Sequence, residues 1–212
     1  MGLLELLLAA NPKALDMRYR EREAFCETST PPVAVRLDGV GFGKRLKDFP
    51  APRSPLVHAA LVETAKSLAS THGADVAHVV SDEINLLFLG AVPYGGRTFK
   101  MISVLAAQAA AELSTRLSRP LYFDGRVVKL EDKCDAARYL LYRARIGFNN
   151  YLVQIARARG AVREQTPRIN ELLKTAELDN YELAWGTVLS KERKYAPLEP
   201  TEALKALCPS RT

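Results

Sequence analysis

Cysteine is scarce in this 212-residue chain: Cys26, Cys134 and Cys208 lie far apart, and no C-x-x-C is present. An odd, scattered set argues against a disulfide framework and makes a reducing compartment, the cytoplasm, the expectation. Histidine is as sparse. His58, His72 and His78 show no metal-ligand spacing with the cysteines, which excludes zinc from the expected cofactors. Long apolar runs are missing too. Leu3 to Ala10 is interrupted by Glu5, has no basic stretch before it, and is too short for a bilayer. It reads as a short helix packing on the domain or on another subunit, with no membrane association. There is no internal repeat and no low-complexity linker.

What the chain does have is positive charge. Lys and Arg outnumber Asp and Glu by 30 to 24. From Lys133 to Arg168 there are eight basic residues and two acidic ones, which equals the whole surplus. A basic stretch beside a nucleotide site points to an RNA-binding face. Hydrophobic content of 48% and the chain length suit one good core with an appended subdomain.

Taken in order, residues 13–27 read as a charged amphipathic helix, broken by Ser29-Thr30-Pro31-Pro32. Val33 to Leu37 is a β-branched apolar run of buried-strand character. A glycine-rich turn follows, then an irregular basic stretch to Pro52. Ser54 with Pro55 caps a helix whose apolar face carries Val57, Leu61, Thr64 and Leu68, closed at Gly73. Asp75 to Val80 and Ile84 to Leu89 read as a hairpin around Ser81-Asp82-Glu83. Thr98 to Ser118 is a long alanine-rich helix, and Leu121 to Leu130 a last strand interrupted at Gly125. The order predicts an α+β fold: a ferredoxin-like palm, an antiparallel βαββαβ sheet with helices on one face, followed by a C-terminal helical region. The expected divisions are an N-terminal helical extension (1–30), a catalytic palm (31–131) and a mainly helical, basic, RNA-contacting region (132–212). Within the last, Trp185 to Ser190 suits one short strand, and Pro197, Pro200 and Pro209 mark a loose tail.

The chemistry-bearing residues gather at two strand ends. Asp38 ends a buried strand, where an ionised carboxylate needs a positive or hydrogen-bonding partner. Asp82 lies at the hairpin, whose strands neighbour the first strand in a βαββαβ sheet, so the two acids converge. Oxygen ligands of this kind suit Mg²⁺, and two such ions serve phosphoryl transfer. Glu83, one residue on, is a further catalytic candidate that a regular strand would point the other way. Gly39, Gly41 and Gly43 let the backbone approach phosphates, and the Gly39 carbonyl is a potential metal ligand. Their spacing is neither a Walker A nor a Rossmann fingerprint. Phe42 either stacks on a base or plugs the core. Lys44, Arg97 and Lys100 are candidate cations for a triphosphate, the latter two sharing a helix face.

Val35-Arg36-Leu37-Asp38-Gly39-x-Gly41-Phe42, Ser81-Asp82-Glu83 and Phe123-Asp124-Gly125-Arg126-Val127-Val128, in this order, resemble the tRNA-histidine guanylyltransferase family and its Thg-like 3′–5′ polymerase relatives. Asn170-Glu171-Leu172-Leu173 and Gly186-Thr187-Val188-Leu189 support the resemblance. It implies a polymerase-like palm with two Mg²⁺ ions, held by Asp38, the Gly39 carbonyl and Asp82. It also implies a nucleotide site lined by Gly39, Val40, Gly41, Phe42, Gly43, Lys44 and Ser81, with Arg97 and Lys100 on the phosphates. The implied reaction adds guanylate to the 5′ end of tRNA, using GTP and ATP as substrates, in a homotetramer. Val40, Gly43 and Phe148 depart from the family pattern, the last standing where the family has a histidine. That departure opens an alternative to selection of histidine tRNA: template-dependent extension or repair of the 5′ ends of several tRNAs. The competing readings are a palm-domain nucleotide cyclase and a non-catalytic tRNA-binding module.

Overall fold

The computed structural model describes residues 27–160 and 181–209. The helices expected at residues 3–10 and 13–27, and the motif at Asn170, lie outside the described residues. Strand β1 (Val33–Gly39) is followed by a one-turn helix α1 (Phe42–Arg45) and helix α2 (Pro55–His72). The hairpin β2 (Val76–Val80) and β3 (Glu83–Phe88) comes next, then α3 (Thr98–Leu117) and β4 (Phe123–Lys129). The chain continues through α4 (Lys133–Ala158), α5 (Tyr181–Trp185), β5 (Thr187–Ser190), β6 (Ala196–Leu198) and α6 (Pro200–Leu207).

All strands pair antiparallel in one sheet of order β4-β1-β3-β2-β5-β6. The first four strands with α2 and α3 form the expected βαββαβ unit. α2 starts where its signals place it: the Ser54 hydroxyl accepts from the Val57 N–H at 3.4 Å, and Gly73 closes the helix in the left-handed region. β4 runs straight through Gly125 without the expected interruption. A Cβ there would press on Ile102 of α3 and on Leu37, so glycine marks a close helix–strand approach and no break.

The two sheet faces bury different helices. Val33, Val35 and Leu37 of β1 point into a core shared with Leu61, Leu68, Met101, Leu105 and Leu113 of α2 and α3. Ala34 points the other way, to a second core with Leu87, Ala136, Ala137 and Leu140 of α4 and Ala203 and Leu207 of α6. At period two, Arg36 and Asp38 follow Ala34 onto the α4 face. Helices of the palm thus cover one face, and the C-terminal helices cover the other.

The C-terminal region departs from the sequence reading in two ways. Its proline-marked end is no loose tail: β6 extends the sheet and α6 packs on it. Cys134 at the start of α4 is bonded to Cys208 at the end of α6, so the expectation that the scattered cysteines stay unpaired is corrected. A separation of 74 residues carries no sequence signal; only the return of the chain along the sheet brings the two together.

Helix α4 passes through Gly147 unbroken, and the reason is contact with the hairpin. A Cβ on Gly147 would overlap Cγ2 of Val80. A Gly147→Ala substitution is therefore expected to destabilise by roughly 1–3 kcal/mol despite its better helix propensity. Gly43→Ala, which meets open space, is expected to be neutral. Urea denaturation of the two variants checks the contrast.

Candidate active site

Three carboxylates line up across adjacent strands. Asp38 on β1 faces Glu83 on β3 and Asp124 on β4. Like charges set directly opposite each other repel, so this row needs cations. Burial raises the Asp38 carboxyl above its ordinary value, the charges of Asp82, Glu83 and Asp124 add to the rise, and Arg36 opposes it. The Arg36 guanidinium lies 2.8 Å from Asp38.

Asp82 sits in the two-residue turn Ser81-Asp82, with Ser81 in the left-handed region at φ 59°. The Gly39 N–H donates to the Asp82 carbonyl at 3.1 Å and the Val40 N–H to the Tyr122 carbonyl at 2.9 Å. These bonds hold the hairpin tip against the end of β1, so Asp38, the Gly39 main chain and Asp82 meet as expected from the topology. Gly39 has a second duty: any Cβ there would collide with the Phe42 ring. Phe42 is buried beneath the turn, edge-on to Phe123 at 5.3 Å, which resolves its role toward packing. Gly41 takes a left-handed conformation to start α1, and its carbonyl receives the N–H groups of Lys44 and Arg45. Val40, Gly43 and Lys44 are exposed along this turn.

Glu83 is placed differently from the sequence expectation. Because Asp82 belongs to the turn, Glu83 is the first residue of β3 and shares Asp38's face. Its carboxylate is buried and taken by arginines. Arg143 of α4 donates from Nε to Oε2 at 3.0 Å and from Nη2 to Oε1, and Arg36 Nη2 donates to Oε1 at 2.8 Å. Burial would raise the Glu83 carboxyl, but the hydrogen bonds from Arg36 and Arg143 outweigh it and hold the group below its ordinary value. Its geometry suits an anchor for the two guanidinium groups.

Beside the hairpin tip opens a cleft of about 410 Å³. Its walls include Ser81 and Asp82, Phe42 and Gly43, Lys47, Arg53 and His58, with Gln154 and Arg157 from the end of α4. The irregular stretch after α1 is fixed in place by Arg119, whose two terminal nitrogens reach the Asp48 oxygens at 2.6 and 2.9 Å. Arg53 donates to the main-chain carbonyls of Gly147 (2.9 Å), Leu183 and Ala184, and lies over the Tyr151 ring. Burial lowers it to about 10, with Asp82 acting the other way. Among the described residues its hydrogen bonds go to neutral carbonyls, so its charge contributes positive potential beside Asp82 in the cleft.

A family model described as Thg1, tRNA(His) guanylyltransferase, matches residues 16–131. The chain belongs to this family. Membership carries the activity class, nucleotidyl transfer of the tRNA guanylyltransferase type. Among solved structures, the fold is shared with a bacterial tRNA(His) guanylyltransferase (Thg1)-like protein in complex with GTP. That match has a TM-score of 0.73 at 22% identity, covering 84% of each chain. The same description in complex with ATP gives 0.72 at 23% identity, again over 84% of each chain. The tRNA(His) guanylyltransferase from Saccharomyces cerevisiae gives 0.65 at 13% identity, over 85% of this chain and 93% of that one. No curated protein sequence matches the chain.

For a guanylyltransferase family member the acid pair has an evident use. Among the described residues, no group of three or more His, Cys, Asp or Glu side chains is arranged to hold an ion. Mg²⁺ does not demand one, because it takes one or two carboxylates and completes its shell with water and phosphate oxygens. Asp38, the Gly39 carbonyl and Asp82 fit that donor set.

Arg97 and Lys100 lie at the start of α3. Arg97 precedes α3 and pairs with Thr28, beside the Val33 end of β1. The acids lie at the other end, five strand residues away, or roughly 17 Å. Arg97 Nε is given to the Tyr94 carbonyl and Lys100 sits over the Tyr94 ring. α3 runs toward the active end and starts near the other, while Ile102 in its first turns lies against Gly125, the β4 partner of Leu37. Sequence reasoning missed Lys47, Arg53, Arg143 and Arg157. Arg143 and Arg157 belong to the basic stretch, but which of its eight cations turn inward was invisible.

Two histidines behind the cleft bear on stability. His58 Nε2 is 2.8 Å from the Thr187 hydroxyl, and His78 Nε2 is 2.9 Å from the Trp185 carbonyl. Burial lowers both to about 4. The unfolded chain takes up these protons near 6.5 and the folded chain only near 4, so acidification through this window favours unfolding. Stability is expected to fall by roughly 2 kcal/mol per histidine between pH 7 and pH 5. Denaturant unfolding of the parent and of His58→Gln at both values should show the variant losing less.

Proposed function

We propose that this protein extends the 5′ end of tRNA in the 3′–5′ direction, adding guanylate with the help of Mg²⁺. The observation that carries the reading is the main-chain bond that holds Asp82, on the rim of a cation-lined cleft, against the end of the strand that carries Asp38 and Gly39. In the first step a 5′-monophosphate oxygen of the tRNA attacks the α-phosphorus of ATP or GTP, and pyrophosphate leaves. In the second, the 3′-hydroxyl of GTP attacks the activated 5′-phosphorus, and the nucleoside monophosphate leaves. Bound Mg²⁺ would supply charge neutralisation at the attacking and leaving oxygens.

The chain's own residues supply the rest. The cleft volume is of the size that receives one small ligand, and Asp82 stands on its rim. Lys47, Arg53 and Arg157 offer positive charge to a triphosphate there. Gly43 and Ser81 keep the wall low, and Phe42 underpins it from the core. Arg138 and Arg145, seven residues apart on one exposed face of α4, offer a surface for the tRNA backbone. Phe148 packs with Trp185, ring centroids 6.3 Å apart. An apolar side chain used in packing offers no hydrogen bond to an anticodon base, which favours action on more than one tRNA.

On the family resemblance the reading extends to a homotetramer in the cytoplasm, while the Cys134–Cys208 bond removes the separate argument from unpaired cysteines. Among the described residues no helix is long and apolar enough to cross a membrane.

With Mg²⁺, ATP and labelled GTP, label is expected in a 5′-monophosphorylated histidine tRNA and in a 5′-truncated non-histidine tRNA. Asp38→Asn and Asp82→Asn are each expected to cut incorporation by about 10³-fold, several kcal/mol of barrier, with an unchanged far-UV spectrum. Full incorporation in either variant, or without a divalent ion, would sink the assignment.

A further inference from the structure

The two arginines on Glu83 are not equivalent. Arg143 grips the carboxylate with Nε and Nη2 together, one donor to each oxygen. That bidentate fork is a fixed clamp. Arg36 uses a single nitrogen, Nη2, for both Glu83 and Asp38, at 2.8 Å from each. Its Nε is buried without a hydrogen-bond partner. Arg36 is thus shared between two acids and saturates neither, while its guanidinium stays within reach of both.

We infer that Arg36 is a displaceable counter-ion for Asp38, which a divalent cation pushes onto Glu83. The inference rests on the reading of Asp38 as a metal-binding carboxylate. Arg36 offsets the charge of the three-acid row before the cation arrives. The cation then competes for the same Asp38 oxygen and repels the guanidinium. Glu83 receives it, and the Arg143 clamp keeps Glu83 from following either the cation or Asp38. Glu83 is by this account a positioning residue that acts through Arg36 and makes no contact with the metal. Two guanidinium charges against the carboxylates of Asp38 and Glu83 also keep the affinity for the cation modest, so that much of the binding depends on the phosphate oxygens the nucleotide brings.

The test is a Mn²⁺ titration of the full chain by calorimetry, without nucleotide. An opposite charge within about 4–6 Å shifts a carboxylate's proton affinity by one to three decades. Arg36→Gln is therefore expected to bind Mn²⁺ roughly tenfold more tightly than the parent. Unchanged or weaker binding overturns the inference. Glu83→Gln is expected to bind more weakly, because Arg36 then rests wholly on Asp38. The double variant Arg36→Gln/Glu83→Gln decides how: it should match Arg36→Gln if Glu83 acts through Arg36. If it stays weaker than Arg36→Gln by the factor seen for Glu83→Gln alone, Glu83 is itself a ligand and the inference falls. Asp38→Asn separates the two levels. Loss of Mn²⁺ binding there with no tightening in Arg36→Gln refutes the counter-ion alone, whereas parent-like binding in Asp38→Asn refutes the metal reading beneath it. Should the double variant not fold, arginine side-chain ¹⁵N spectra of the parent during a Mg²⁺ titration replace it. The Arg36 signal, assigned with Arg36→Lys, should move and that of Arg143 should not; a stationary Arg36 overturns the inference.

Discussion

The arrangement at the active end depends on one electrostatic constraint: acids on neighbouring strands must be kept side by side. Asp38, Glu83 and Asp124 stand in register across β1, β3 and β4. Such a row would drive the strand ends apart if left bare. Arg143 comes from α4 and Arg36 from β1 itself, and both converge on Glu83. The C-terminal helix therefore completes the site. Without α4, the Glu83 carboxylate at one end of the row would lose its bidentate partner. Removing one side of a buried pair leaves an uncompensated charge at a cost of several kcal/mol.

The same helix is bound to the hairpin by close packing. Gly147 lies against Val80, and Gly186, at φ 97°, lies against the Val79 carbonyl and His78. Arg53 then crosses from the segment before α2 to the Gly147, Leu183 and Ala184 carbonyls. These contacts tie three stretches, far apart in sequence, around the turn that carries Asp82. The cleft between them is a consequence: its floor belongs to the palm and part of its rim to α4.

The glycine turn illustrates how packing and chemistry share residues. Gly39 is needed because Phe42 fills the space a Cβ would take. The same absence of a side chain leaves the Gly39 carbonyl and N–H open to the hairpin, and the N–H is used to hold Asp82. One residue thus sets the core beneath the turn and holds the hairpin tip above it.

Much of this was legible in the sequence. Local patterns determined the palm: the β-branched apolar run Val33–Leu37, the Ser54-Pro55 cap and Gly73 closure of α2, and the hairpin around Ser81-Asp82. Those signals are short-range, set by backbone sterics, capping and period, and need no knowledge of distant residues. The placing of the hairpin tip beside the end of β1 followed, because strand order in a βαββαβ unit puts them together. Long-range decisions were invisible. The burial of Glu83 under Arg143, the inward turn of Arg53, the Cys134–Cys208 bond and the folding of the proline-marked end into β6 and α6 each join residues dozens of positions apart. Arg97 and Lys100 share a helix face as read, but only the direction of α3 across the sheet shows that they start at the far end. Charge identity is written in the chain; which charges meet depends on how the sheet and helices pack, and that only the tertiary structure decided.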